Sequence, residues 1–178
     1  MVYMFLADGF EEVEALAPLD ILRRANVEVV TLGVTGEYVK GAHDVTVKAD
    51  TFISEVELQE IDAVILPGGL GGTNNMDASP EVKRIVQYAA DNNKLICAIC
   101  AAPSILGKMG LLEGKDATCY PGFEESFKGG NYMKKSVVKC DNFITADGMG
   151  SAYKFGFEIV ASLCGDETAE KIKEQIQY

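Results

Sequence analysis

Lys94-Leu-Ile-Cys-Ala-Ile-Cys100-Ala-Ala-Pro-Ser104 decides how this chain is read. Leu95 to Ile99 is an unbroken apolar run with the length of a buried strand. After Cys100, Ala-Ala-Pro-Ser-Ile-Leu-Gly-Lys-Met has helical spacing. A strand that passes straight into a helix leaves the residue between them on a tight bend, and only small neighbours fit around it. Ala98 and Ala102 stand two positions either side of Cys100. This is the small-x-nucleophile-x-small pattern of a nucleophile elbow, with Cys where a hydrolase has Ser. A helix starting there points free N–H groups and partial positive charge at the sulfur, which favours thiolate over thiol.

Outward from the elbow, short apolar strands alternate with helical segments. Strands are expected at Val2 to Leu6, Val27 to Leu32 and Asp62 to Leu66, with Ala117 to Tyr120, Ser136 to Cys140 and Asn142 to Thr145 later. Gly36 to Lys48 reads as one or two short extended pieces, and Glu55 to Glu60 as a helical turn. Helices are expected over Glu11 to Ala25, from Ser79-Pro80-Glu81 onward, over Ser151 to Leu163 and over Glu167 to Gln177. In the first, Val13, Leu16, Ile21 and Leu22 face a core and Pro18 predicts a kink. Ser79 is a cap with Pro at the first turn, and Val82, Ile85, Val86 and Ala89 form the buried stripe behind it. Leu70 to Asp77 reads as a Gly/Asn-rich loop. The alternation implies an α/β fold with a mainly parallel sheet covered on both faces. Residues 1–178 are expected to form one domain, with no repeat or linker.

In such a sheet the site lies at the carboxyl ends of the strands. Three loops meet there: Asp8 to Glu14, Pro67 to Gly71, and Cys100 to Ala102. Cys100 is the candidate nucleophile, set against a buried structural thiol as the alternative. Gly68 and Gly69 end a strand beside it, and the Gly69 and Ala101 amides would form an oxyanion hole, unless Pro67-Gly68-Gly69 is a plain turn. Glu11, Glu12 and Glu14 crowd a helix start, where acids are favoured in any case. One of them pointing inward would face Cys100, and a carboxyl buried beside a thiolate should hold its proton. His43, the only histidine, reads as a surface or partner-contact residue.

Other chemistries fit less well. Cys97 and Cys100 form a Cys-x-x-Cys, but Cys97 falls inside the strand rather than at a helix start. Gly71-Gly72 lacks the Lys-Ser/Thr ending of a phosphate loop. One histidine without paired spacing argues against zinc, and no metal or cofactor is expected. With 16 basic and 27 acidic residues the chain carries a net charge of −11, which argues against nucleic acid and anionic membranes as partners. No apolar run approaches the roughly 20 residues of a membrane span. No signal peptide is visible, and five irregularly spaced cysteines read as reduced thiols of a cytoplasmic protein.

Taken together, Ala-Asp-Gly-Phe-Glu-Glu-Val-Glu14, Val-Ile-Leu-Pro-Gly-Gly69, Ala-Ile-Cys100-Ala-Ala-Pro and Asp-Gly-Met-Gly150 resemble the ThiJ/PfpI superfamily, and within it the parkinsonism-associated DJ-one branch. The resemblance covers nearly the whole chain. It implies a flavodoxin-like three-layer sandwich and a homodimer. It matches Cys100 to the family's oxidisable cysteine, Glu14 to the acid bonded to it, Glu11 to a ligand-contacting acid, and Gly69 and Ala101 to the backbone donors. Members of the family are described as glutathione-independent glyoxalases, deglycases, oxidative-stress sensors, chaperones or intracellular proteases.

Three positions depart from the family pattern. Ala101 stands where the protease-like branch has His, which argues against a peptidase. Tyr120 stands where deglycases often have His; a phenol donates a hydrogen bond but is a poor base at neutral pH. His43 stands where an Arg often crosses the dimer interface, and so could reach the partner's site. The resulting expectation is glyoxalase- or deglycase-type chemistry on a small reactive carbonyl through Cys100 and Glu14. An oxidative-stress sensor or chaperone with an oxidisable Cys100 is the alternative, and a cysteine hydrolase the third reading.

Overall fold

Apolar runs without polar alternation become strands here because helices cover both faces of the sheet. The computed structural model describes residues 1–178. Its strands are β1 (Val2–Leu6), β2 (Val29–Gly33), β3 (Tyr38–Lys40), β4 (Thr46–Lys48), β5 (Thr51–Phe52), β6 (Ala63–Leu66), β7 (Leu95–Ile99), β8 (Asp116–Ala117), β9 (Asn131–Tyr132), β10 (Val137–Cys140) and β11 (Phe143–Ala146). The helices are α1 (Glu12–Arg24), α2 (Leu70–Ala78), α3 (Pro80–Asp91), α4 (Pro103–Lys108), α5 (Ala152–Cys164) and α6 (Asp166–Gln175).

Seven strands form one sheet in the order β10-β11-β7-β6-β1-β2-β5. Every pairing in it is parallel except β10 with β11. This is the mainly parallel α/β sheet that the sequence predicts, in the flavodoxin-like sandwich that the resemblance implies. Side chains alternate between two separate cores. Val2, Met4 and Leu6 of β1, with Cys97 and Ile99 of β7, face α1, α5 and α6. Tyr3, Phe5, Ile96 and Ala98 face the opposite core with α2, α3 and α4. The strand β7 lies between β6 and β11, so its carboxyl end is flanked by loops on both sides.

Local chemistry sets the boundaries. The Ser79 hydroxyl accepts from the Val82 amide at 3.3 Å with Pro80 at the first helical position, as expected. The hairpin β10–β11 turns at Asp141 with φ of 52°. The sequence reading fails in three places. Leu70 to Asp77 is not a loop but lies in α2, where Gly72 packs so close to the Phe10 backbone that a Cβ would sit 2.8 Å from its Cα. Glycines read as loop punctuation are thus there for close approach. The expected strand Ala117 to Tyr120 stops at Ala117, because the Thr118 amide turns to the Thr145 hydroxyl (2.9 Å) and the Tyr120 amide to the Cys100 carbonyl (2.8 Å). Val13 does not enter the core; it is 38% exposed on the outer face of α1. The helix α1 continues through Pro18, which packs against α5 at Gly156.

No helix is long and apolar enough to cross a membrane. The hairpin β3–β4 lies off the main sheet and is pinned to the first loop: Lys40 N donates to Asp8 Oδ1 (2.8 Å), Gly9 N to Lys40 O (2.7 Å) and Ala42 N to Phe10 O (2.8 Å).

Candidate active site

The elbow is built as the flanking alanines require. Cys100 has φ of 65°, left-handed backbone for a residue with a Cβ, at a cost of about 1–3 kcal/mol. The other non-glycine residues in this region are Asn26, Asp44, Asn93, Asp141 and Gln177. Asn and Asp tolerate the conformation through local hydrogen bonding; Cys does not. The bend is held from both sides. The Cys100 amide donates to Ala146 O (2.9 Å), and the Tyr120 amide donates to Cys100 O (2.8 Å). Ala98 and Ala102 are fully buried. The sulfur-bearing residue itself is only partly buried.

The end of β6 closes on this bend. Gly69 has φ of 84°, and a Cβ there would collide with the backbone of Gly9, Phe10 and Glu11. Gly68 is pinched between two functional groups: a Cβ would strike the Glu14 carboxyl and lie 2.6 Å from Cys100 Cβ. No side chain larger than hydrogen fits between the acid and the cysteine. The Gly69 and Ala101 amides both reach the sulfur, and each favours its anion. Glu11 caps α1 by accepting the Glu14 amide on Oε2 at 2.8 Å, and its own amide donates to Gly68 O at 3.0 Å. Capping therefore fixes the first turn of α1 so that Glu14 points in at Gly68 and Cys100.

Glu14 is 1% exposed, and its Oε2 accepts no hydrogen bond. Burial is the main reason its pKa rises from 4.5 to about 7; contact with Cys100 lowers it, the Glu11 charge raises it and the Gly68 amide lowers it. The thiol moves further. Burial first, then the charge and hydrogen bond of Glu14, push Cys100 up to about 12 against the pull of the two amides. This reverses the thiolate expected from a helix start. The helix α4 begins only at Pro103, and burial of the sulfur together with the carboxylate nearby outweighs the pull of the amides. The pair is best described as sharing one negative charge. With Glu14 ionised, the thiol keeps its proton. With the proton on Glu14, repulsion vanishes and the unpaired oxygen becomes a donor facing the sulfur.

The remaining sequence candidates separate. Tyr120 is exposed; its amide holds the bend, and its ring lies over Gly148. His43 does not reach the cysteine of its own chain. It is exposed and joined to Glu12, Nδ1 to Oε2 at 2.9 Å. Glu12, which the sequence offered as a dipole partner or as the acid facing Cys100, is 93% buried and takes the His43 amide at 2.7 Å on Oε1. Its charged form is penalised by burial, but the bonds from His43 win and its pKa falls. The same contact raises that of His43. The signal for this clamp lay in no local pattern, because its partners are 31 residues apart. Glu11, Glu12 and His43 hold ligand-capable atoms within 4.8 Å of one another, but Glu12 and His43 bind each other and Glu11 caps the helix.

Comparison with known proteins bears on this geometry. Residues 1–162 match the profile of the DJ-1/PfpI family. Protein dj-1beta of Drosophila melanogaster is 40% identical over 173 residues, spanning 95% of this chain and 92% of that protein. The glutathione-independent glyoxalase DJR-1.2 of Caenorhabditis elegans is 29% identical over 163 residues, 91% of this chain and 87% of that one. The solved structure of oxidized Toxoplasma gondii DJ-1 superposes with a TM-score of 0.95 at 35% identity, covering 99% of this chain and 97% of its own.

Proposed function

The chain belongs to the DJ-1/PfpI family, and from that premise we propose that it converts small 2-oxoaldehydes to 2-hydroxy acids without glutathione. Cys100 is the nucleophile and Glu14 the acid–base group. One observation carries the reading: a fully buried carboxyl with an unpaired oxygen lies against a partly exposed thiol on a strained turn. The expected relation to a named glyoxalase supports the substrate class.

In the proposed sequence Glu14 carboxylate takes the Cys100 proton as sulfur bonds to the aldehyde carbon. Negative charge moves to the aldehyde oxygen beside the Gly69 and Ala101 amides. Glu14 passes its proton to that oxygen, giving a hemithioacetal. Free again, it removes a proton from the former aldehyde carbon and returns it to the neighbouring carbonyl carbon, while the hemithioacetal hydroxyl proton passes to the neighbouring oxygen. A thioester results, and water releases the 2-hydroxy acid and the thiol. The aldehyde carbon is oxidised and its neighbour reduced, so no cofactor is called for.

A second reading has an observation of its own. The same acid, once protonated, would hydrogen-bond a sulfinate at Cys100, and the structural neighbour was solved oxidized. One experiment separates the two. Purified protein is assayed with methylglyoxal, and peroxide-treated protein is weighed intact. Turnover that falls about 10³-fold in Cys100→Ser supports the enzyme. A gain of two oxygens at Cys100 with no turnover supports the sensor. Turnover that survives the substitution rejects the mechanism.

The homodimer implied by the family also has a supporting feature. Val13, Val45 and Tyr153 are 38%, 48% and 46% exposed, and Val45 is tied to Glu12 beside Val13. Light scattering is expected to give twice the chain mass, and Val13→Glu to give the monomer.

A further inference from the structure

The segment that delivers Glu14 to the sulfur lies between two supports. On its inner side the Glu11 amide donates to Gly68 O at 3.0 Å, and a Cβ on Gly69 would lie 2.4 Å from Gly9 O. On its outer side Asp8, Gly9 and Phe10 are bonded one after another to Lys40 and Ala42 of the β3–β4 hairpin. Glu12 is the last of these joints, and the one most deeply buried charge among them. The turn Gly41–Val45 closes with Gly41 N on Val45 O at 2.8 Å. It aims the His43 and Val45 amides at one oxygen, Oε1, at 2.7 and 3.4 Å, and His43 Nδ1 meets the other oxygen at 2.9 Å. Gly41 is fitted to this seat. A Cβ on it would stand 2.3 Å from Glu12 Oε1 and 2.5 Å from Cδ, and its nearest neighbours are all side-chain atoms of Glu12. Its φ is not in the left-handed region, so the carboxylate and not the backbone calls for glycine there.

No step of the reaction proposed above uses this carboxylate, since both its oxygens are spent on the hairpin. A buried carboxylate stripped of its donors is costly, so the seat is not left freely. Two positions along a helix are about 200° of rotation, so Glu12 and Glu14 leave the first turn of α1 on nearly opposite sides. One is gripped by the hairpin, and the other faces Gly68 and Cys100. Rotation of that turn would unseat both together. We propose that Glu12 is a positioning residue: its carboxylate, seated in the Gly41–Val45 turn, fixes the rotation of the first turn of α1 and so holds the Glu14 carboxyl against Cys100. The assignment rests on the Cys100–Glu14 chemistry proposed above.

The test has two readouts: turnover of methylglyoxal, and the pH profile of Cys100 alkylation by iodoacetamide, which needs no turnover. Gly41→Ala evicts the carboxylate from the hairpin side and leaves the sequence of α1 intact; Glu12→Ala removes it. Both should lower kcat about 10- to 10²-fold, the order that a displacement of about 1 Å costs, with KM nearly unchanged. Both should also move the alkylation midpoint down toward that of Glu14→Gln, and adding Glu14→Gln to either should move it no further. Glu12→Gln drops the same charge but keeps an oxygen for the two amides, so it should stay close to the parent in both readouts. A merely structural residue would lower the urea midpoint and leave kcat and the alkylation profile at parent values, and that result overturns the proposal. A Glu12→Gln profile displaced as far as that of Glu12→Ala also overturns it, because the effect would then be one of charge. If Glu12→Ala does not fold, Gly41→Ala decides alone. If the parent does not turn over methylglyoxal, the reaction has failed, and the alkylation profiles still decide the positioning.

Discussion

Cys97 and Cys100 stand three residues apart at the two ends of one short stretch and belong to different chemistries. Cys97 lies inside β7, fully buried, and burial above all, with the Glu158 charge adding and Lys139 opposing, drives its pKa well above the ordinary thiol range. Cys100 has just left the strand, and its surroundings come from elsewhere: an amide from β6's end, one from its own turn, a carboxyl from α1. The protonation of a cysteine at this bend is thus set by the loops that converge on it, not by its strand. The comparison also shows that proximity to a helix start is too weak a criterion. Burial of the sulfur first, and the neighbouring acid second, decide the protonation state.

The largest expected difference is in labelling. Iodoacetamide should modify Cys100 about 10³-fold faster than Cys97 in the native state, because Cys97 is reached only when the sheet opens globally. Comparable rates, read by peptide mass spectrometry, would mean that β7 is not the rigid centre described. Next comes Glu14→Gln. The folded pKa of about 7 exceeds the ordinary 4.5, so the native state holds more protons than the unfolded chain between those values. Stability should therefore fall as pH rises from about 4.5 to 7 and then level off. The contribution is at most about 3 kcal/mol. Urea melts at pH 5 and 8 should show that loss in the parent and not in Glu14→Gln, whose Cys100 should also alkylate at lower pH. Equal pH slopes in both proteins would detach the acid from the sulfur. The smallest effect is Thr145→Val. It removes the hydroxyl that accepts the Thr118 amide at 2.9 Å, costing about 1–2 kcal/mol by denaturant melts. A neutral result would show that the Thr118–Tyr120 segment does not depend on β11 for its position.

What could be read from the sequence was what local pattern encodes. The apolar run, the flanking alanines and the Ser79-Pro80 start each express a rule that acts within a few residues. The convergence of Glu14, Gly69 and Cys100 followed from the topology of parallel sheets plus family motifs. What escaped was set over longer range. The residues of α2 looked like a loop because Gly72 and its neighbours serve contact with Phe10, not a turn. The Glu12–His43 clamp joins segments 31 residues apart with no periodicity to announce it. The sign of the Cys100 shift depended first on how far the sulfur itself is buried and then on which acid faces it, neither of which the local sequence reveals.

The glutamates that open α1 have a consequence for the response to acid. Within one turn of α1, Glu12 binds protons less readily than an ordinary carboxylate and Glu14 more readily. On mild acidification the first stays ionised, and His43 gains charge and grips it harder, while the second is discharged. Mild acid can thus switch off the base that faces the sulfur without loosening the β3–β4 hairpin that Glu12 clamps. Adjacent titrations, pulled apart by burial and by one imidazole, separate reactivity from architecture.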